Sequence, residues 1–141
     1  MQYRLDELAV LATEMGLAAT RVDADRLDIT IQEDCVLAFC NLPDENDTLV
    51  GFDGTPWHSH GIVQFLTGRG TYVECDELAI LIGLGAGELV VVSQLHDGKL
   101  RDRWIAHKQE DLELHYMRSG DELRVLCLST HQGRISGEQA G

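Results

Sequence analysis

Asp97-Gly98 is the feature that most restricts the fold of this chain. An Asp-Gly pair between two extended runs marks a β-hairpin, because the two-residue turn that matches strand twist needs positive φ at its central positions. The flanking runs are Glu88 to Leu95, rich in β-branched residues, and Leu100 to His107. A third run alternates Leu112, Leu114 and Tyr116 with Glu113, His115 and Met117. Arg118-Ser119-Gly120-Asp121 then turns the chain into a fourth, Leu123 to Leu128. Four consecutive strands with short turns predict a C-terminal antiparallel meander.

The first half reads differently. Residues 3–19 place Leu5, Leu8, Ala9, Ala12, Met15 and Ala19 at helical spacing, with Asp6 and Glu7 where the helix dipole favours negative charge and Gly16 weakening or ending the helix. Val22 to Ile31 predicts a half-buried strand, and Gln32-Glu33-Asp34 turns it into Cys35 to Leu42. That run is apolar at nearly every position, so it predicts an interior strand covered on both faces. An acidic loop, Pro43 to Asp47, leads to a strand through Thr48 to Phe52. Ile62 to Leu66 and Thr71 to Cys75 are short apolar pieces around a Gly-containing loop. Asp76 is an N-cap candidate for a helix through Leu84, stopped by the cluster Gly83, Gly85 and Gly87. The fold class expected is α+β: one domain over residues 1–128, an antiparallel sheet of about six or seven strands with two helices packed on one face. Residues 129–141 are polar and read as a flexible tail.

Charge narrows the function. The chain carries 11 basic and 24 acidic residues, net −13. The imbalance is concentrated in residues 1–53, with 3 basic and 12 acidic side chains, against 8 and 12 in the remainder. Such a surface repels nucleic acid, whose phosphates require Lys and Arg, and favours rapid encounter with a basic protein. The stripe Lys99, Arg101, Arg103 and Lys108 is expected to pair with neighbouring carboxylates. No apolar run approaches membrane-spanning length and the N-terminus lacks a signal-peptide pattern, so a cytoplasmic protein is expected. Cys35, Cys40, Cys75 and Cys127 show no paired spacing and read as reduced thiols, with Cys35 and Cys40 on opposite faces of their strand. Gly83-Leu84-Gly85-Ala86-Gly87 is one residue short of a dinucleotide loop and precedes a β-prone run, which favours a helix end over phosphate binding.

The stretch Phe52-Asp53-Gly54-Thr55-Pro56-Trp57-His58-Ser59-His60-Gly61 concentrates the chemistry. If Trp57 to His60 is extended, His58 and His60 point to one side. Trp57, flanked by Pro and a turn, is expected to be largely buried. Cys75 with either His could form a thiolate–imidazole pair.

Pro56-Trp57-His58-Ser59-His60, with Gly68-Arg69-Gly70 downstream, resembles part of the first metal motif of the cupin family. That resemblance implies a β-barrel metal site with His58 and His60 as two ligands. Gln64 stands where the family places Glu, and no second motif follows. In arrangement the chain also resembles small acidic bacterial proteins, some of them immunity partners of toxins. The residues carrying that likeness are Phe52 to Gly61, Asp102-Arg103-Trp104 and the terminal hairpin. The function expected is therefore a non-enzymatic acidic binding protein, an inhibitor or immunity factor for a basic protein, with no cofactor. Asp44, Glu45, Asp47 and Asp53 are its candidate binding residues. The alternative is a cupin-like metal-dependent enzyme or metal-binding protein centred on His58 and His60.

Overall fold

A computed structural model describes residues 2–68, 70–110, 112 and 118–128. The elements in order are α1 (Leu5–Glu14), β1 (Ala18–Asp23), β2 (Arg26–Gln32), β3 (Cys35–Leu42), a 3-10 turn (Pro43–Glu45), β4 (Asp47–Phe52), β5 (His58–Ser59), β6 (Val63–Leu66), β7 (Tyr72–Cys75), α2 (Glu77–Ala86), β8 (Leu89–His96), β9 (Lys99–His107) and β10 (Asp121–Leu126). The class is α+β, with antiparallel pairing throughout the two larger sheets. The strands divide among three sheets, ordered β1-β2-β3-β4-β5, β10-β8-β9 and β6-β7. Two compact units result: Met1–Val63 with Cys75–Leu81, and Gln64–Glu74 with Ile82–Gly141. The strand expected through Leu114 and Tyr116 and the tail expected at 129–141 lie outside the described residues. Among the described residues, no helix is long and apolar enough to cross a membrane.

In the first unit, α1 is shorter than its apolar spacing suggests. It buries Leu5, Leu8 and Ala12, then stops because Gly16 takes φ +82° and the Leu17 N–H returns to the Ala12 carbonyl at 2.9 Å. Ala18 to Asp23 form β1 instead of a continuing helix, and the strand expected at Val22 to Ile31 is therefore a hairpin of β1 and β2. Alanine at helical spacing is a weak signal, and strand pairing overrides it.

The inner face of the five-stranded sheet is built in cross-strand rows. Leu27 on β2 opposes Phe39 on β3, which opposes Val50 on β4; Ile29, Leu37 and Phe52 form the next row. All six are at most 3% exposed, and each contributes roughly 1.5–3 kcal/mol by leaving water. Tyr3 closes the row edge-on against Phe39, ring centroids 5.5 Å apart. β3 is fully covered on this face and only partly on the other, where Ala38 is buried. Cys35 is buried among the inner-face residues, whereas Val36, Cys40 and Leu42 on the outer face are half-buried. Arg26 opposite Cys40 and Asp28 opposite Ala38 make that outer face partly polar.

In the second unit, β8 is the central strand, and Leu89, Val90, Val91 and Val92 are all buried. The β8–β9 turn has Asp97 at φ 51° and Gly98 at φ 81°, the geometry an Asp-Gly hairpin requires. β10 lies beside β8. Gly83 and Gly85 sit inside α2, which runs to Ala86. The helix ends at Gly87 with φ +79°, and the Glu88 N–H bonds back to Gly83. A Cβ on Gly83 would lie 2.9 Å from the Leu89 side chain, so packing explains this glycine without a phosphate. Of the basic stripe, Lys108 pairs with Glu88 at 2.8 Å, and Arg103 is buried with its Nε donating to Ser93 Oγ.

Candidate functional site

Antiparallel pairing brings distant carboxylates to one end of the five-stranded sheet. Arg26, which opens β2, opposes Cys40 near the end of β3, so the β1–β2 turn and the β3–β4 turn lie side by side. The Asn41 N–H donates to the Asp25 carbonyl at 2.7 Å and fixes that adjacency. Asp23 and Asp25 therefore join Asp44, Glu45 and Asp47 at the same end.

The turn that presents Asp44 and Glu45 is well defined. Pro43 occupies its first position and presets φ, Asn46 closes it in the left-handed region, and the Asn46 N–H returns to the Pro43 carbonyl. Both carboxylates are exposed. Asp47 is more engaged. One of its oxygens accepts the Thr48 N–H at 2.8 Å, and the other is 3.2 Å from His60 Nδ1. Asp53 is not part of this group. It follows the far end of β4, and six extended residues separate the two ends by about 20 Å.

Cations in this unit are already committed. Arg4 binds Glu77 and Asp76, Arg21 binds Asp6, and Arg26 binds Asp28 at 2.7 Å with Asp53 at 3.5 Å. These are the three basic residues of positions 1–53. Asp44 and Glu45, by contrast, have no ion pair among the described residues.

The Phe52–Gly61 stretch turns back along the outer face of the same sheet. β5 pairs with β4 through Gly51 and His58 and through Val50 and Ser59. Gly51 is required there, since a Cβ would fall 2.8 Å from the Trp57 carbonyl oxygen. His58 and His60 do share a side, their ring centroids 5.2 Å apart and nearly perpendicular. His58 Nδ1 donates to its own loop at the Pro56 carbonyl, 3.1 Å away, and His60 Nδ1 donates to the Thr48 carbonyl. Both rings thus act as hydrogen-bonders that hold the loop.

Trp57 is half-buried, less than its flanking Pro and turn suggest. It leans on Phe52 with centroids 6.1 Å apart and forms one wall of a cleft of about 260 Å³. Ala38, Gly51, Cys40, Arg26, Asp53 and His58 are among its other lining residues. Burial pushes the Cys40 thiol up, against the pull of the Arg26 charge. Cys75 is buried and its thiol is likewise pushed up by burial, so it offers a protonated thiol in place of a nucleophilic thiolate.

No family model, curated protein or solved structure matches this chain. The site must be read from its own chemistry.

That chemistry does not fit the metal centre implied by the cupin resemblance. Among the described residues, no group of three or more His, Cys, Asp or Glu side chains is placed to hold a metal ion. Gln64, at the position of the missing Glu, donates to Glu74 at 3.3 Å. Two imidazoles fall short of the three protein ligands a zinc site normally uses.

Sequence reasoning missed Asp23, Asp25 and the cleft residues Arg26 and Cys40. Asp23-Ala24-Asp25 is itself a turn signal, with Asp23 Oδ1 accepting the Asp25 N–H at 2.8 Å. Read as a turn, it would have split the expected strand and supplied both carboxylates.

Proposed function

We propose that this chain is a non-enzymatic, cytoplasmic binding protein that engages a basic protein partner through its acidic end, as an inhibitor or immunity factor. One observation carries the reading. Asp23, Asp25, Asp44, Glu45 and Asp47 stand at adjacent turns of one sheet, while Arg4, Arg21 and Arg26 are each paired with other carboxylates of the chain. A negative field on a preformed surface steers and orients a positively charged protein without rearrangement. Neither nucleic acid nor a membrane is a partner in this reading.

The test combines Asp44→Asn, Glu45→Gln and Asp47→Asn in one variant. The Asp47→Asn change keeps a side-chain oxygen to accept the Thr48 N–H, so folding is expected to change by less than about 0.5 kcal/mol. Capture of a basic partner by the immobilised protein is expected to fall severalfold in this variant. Equal capture by both proteins would reject the acidic end as the contact surface.

A second reading, a metal-dependent enzyme or metal-binding protein, keeps the shared face of His58 and His60 as its support. Elemental analysis of the purified protein decides it. Zinc, iron and manganese are each expected well below one per chain, with the same content in a His58→Ala His60→Ala variant. Near-stoichiometric metal that is lost in that variant would establish the metal reading.

A further inference from the structure

The cleft beside Trp57 has a charge balance that selects its occupant. Arg26 and Asp53 line it with one charge of each sign, and Asp28, outside the lining, binds Arg26 and adds a second negative charge behind it. The Arg26 guanidinium is already held by Asp28, whose side chain is largely covered, while Asp53 is only loosely engaged at 3.5 Å and remains two-thirds exposed. An anion would meet a neutralised arginine and an open carboxylate, and is disfavoured. A cation would meet the uncompensated charge. At about 260 Å³ the cleft falls below the roughly 300–1,000 Å³ of pockets that enclose a whole small molecule. It suits one long side chain.

We infer that this cleft receives an arginine side chain of the basic partner, its guanidinium against the Trp57 ring and paired with Asp53. The inference rests on the proposed function and gives it an anchor point. Arginine is chosen over lysine because a planar guanidinium stacks on an indole face and bonds a carboxylate in a fork, whereas an ammonium does neither as well. A half-buried Trp beside a charged rim is also the residue type that dominates binding energy at interfaces.

The test needs no partner. N-acetyl-arginine amide is titrated into the intact protein while tryptophan fluorescence is followed, with N-acetyl-citrulline amide as the neutral isostere. Trp104, the second tryptophan, is buried in the other unit, and a Trp57→Phe variant isolates its signal. The arginine probe is expected to give a saturable change that disappears in Trp57→Phe, and citrulline to bind at least about tenfold more weakly. Asp53→Asn should weaken the arginine probe severalfold. Arg26→Gln should tighten it, because the cleft loses its own cation. No saturation, equal binding of citrulline, or weaker binding in Arg26→Gln would overturn the inference. If the probe fails while a basic partner still binds through Asp44, Glu45 and Asp47, the socket falls and the acidic-end reading stands. If the probe binds and the triple substitution leaves partner capture unchanged, the acidic end is the part that fails.

Discussion

Phe39→Ala is expected to destabilise the protein by about 3–5 kcal/mol, the largest single loss from the sheet that carries the site. Phe39 is fully buried and central in both directions. It opposes Leu27 on one side and Val50 on the other, and Tyr3 meets its ring edge-on. Removing the ring takes away its transfer free energy and leaves a cavity on the inner face of the sheet, which the paired strands can only partly collapse. Whole-domain stabilities of about 5–15 kcal/mol make this a large fraction of the total. Denaturant titration followed by far-UV circular dichroism measures it. A loss under about 1.5 kcal/mol would mean that the inner face is packed differently from the rows described here.

Glu77→Ala should cost about 2–3 kcal/mol, for a different reason. Glu77 is 2% exposed at the start of α2, where Asp76 caps the helix by accepting the Ala79 N–H at 2.8 Å. Its carboxylate accepts the Arg4 backbone N–H at 2.8 Å and the Arg4 Nε at 3.2 Å. The ion pair itself contributes modestly, because the Arg4 side chain is nearly half exposed and water can take over its charge. The Arg4 backbone N–H loses the acceptor that Glu77 provides, and so does the Arg4 Nε. Glu77→Gln retains an acceptor and is expected to lose less than half as much. Equal losses in the two variants would show that charge, and not the hydrogen bonds, holds the N-terminus to α2.

Strong local signals in the sequence survived folding. The Asp97-Gly98 turn, the Asp76 cap and a strand at Cys35–Leu42 all stand where their chemistry places them, because each is decided within a few residues, although the strand is not covered on both faces as its apolar run suggests. β1 was not legible. Ala18 to Asp23 has almost no buried side chain, so it carries no alternation, and it is a strand only because β2 is there to pair with it. The distribution of strands into three sheets, and the position of β10 beside β8, depend on pairings between distant residues that no local pattern encodes. The site divides along the same line. Asp44, Glu45 and Asp47 are neighbours in sequence and were visible. Asp23 and Asp25 join them only through the register that sets Arg26 against Cys40. Asp53 shows the converse: close in sequence to Asp47, it stands at the other end of β4 and belongs with the cleft. His58 and His60 were placed correctly on one side, yet their Nδ1 atoms serve loop carbonyls, which spacing alone could not reveal.

The association rate with the captured basic partner, measured by stopped flow across ionic strength, tests the central claim most directly. The Debye length shrinks from about 30 Å at 0.01 M salt to about 3 Å at 1 M, so a steered encounter loses its long-range attraction over that range. The on-rate is predicted to fall at least about tenfold, with the dissociation rate much less affected. Replacing Asp44, Glu45 and Asp47 should lower the low-salt on-rate severalfold, and adding Asp23→Asn and Asp25→Asn should lower it again. At high salt all three proteins should converge. An on-rate that ignores both ionic strength and these substitutions would contradict the account, whatever the affinity of the complex.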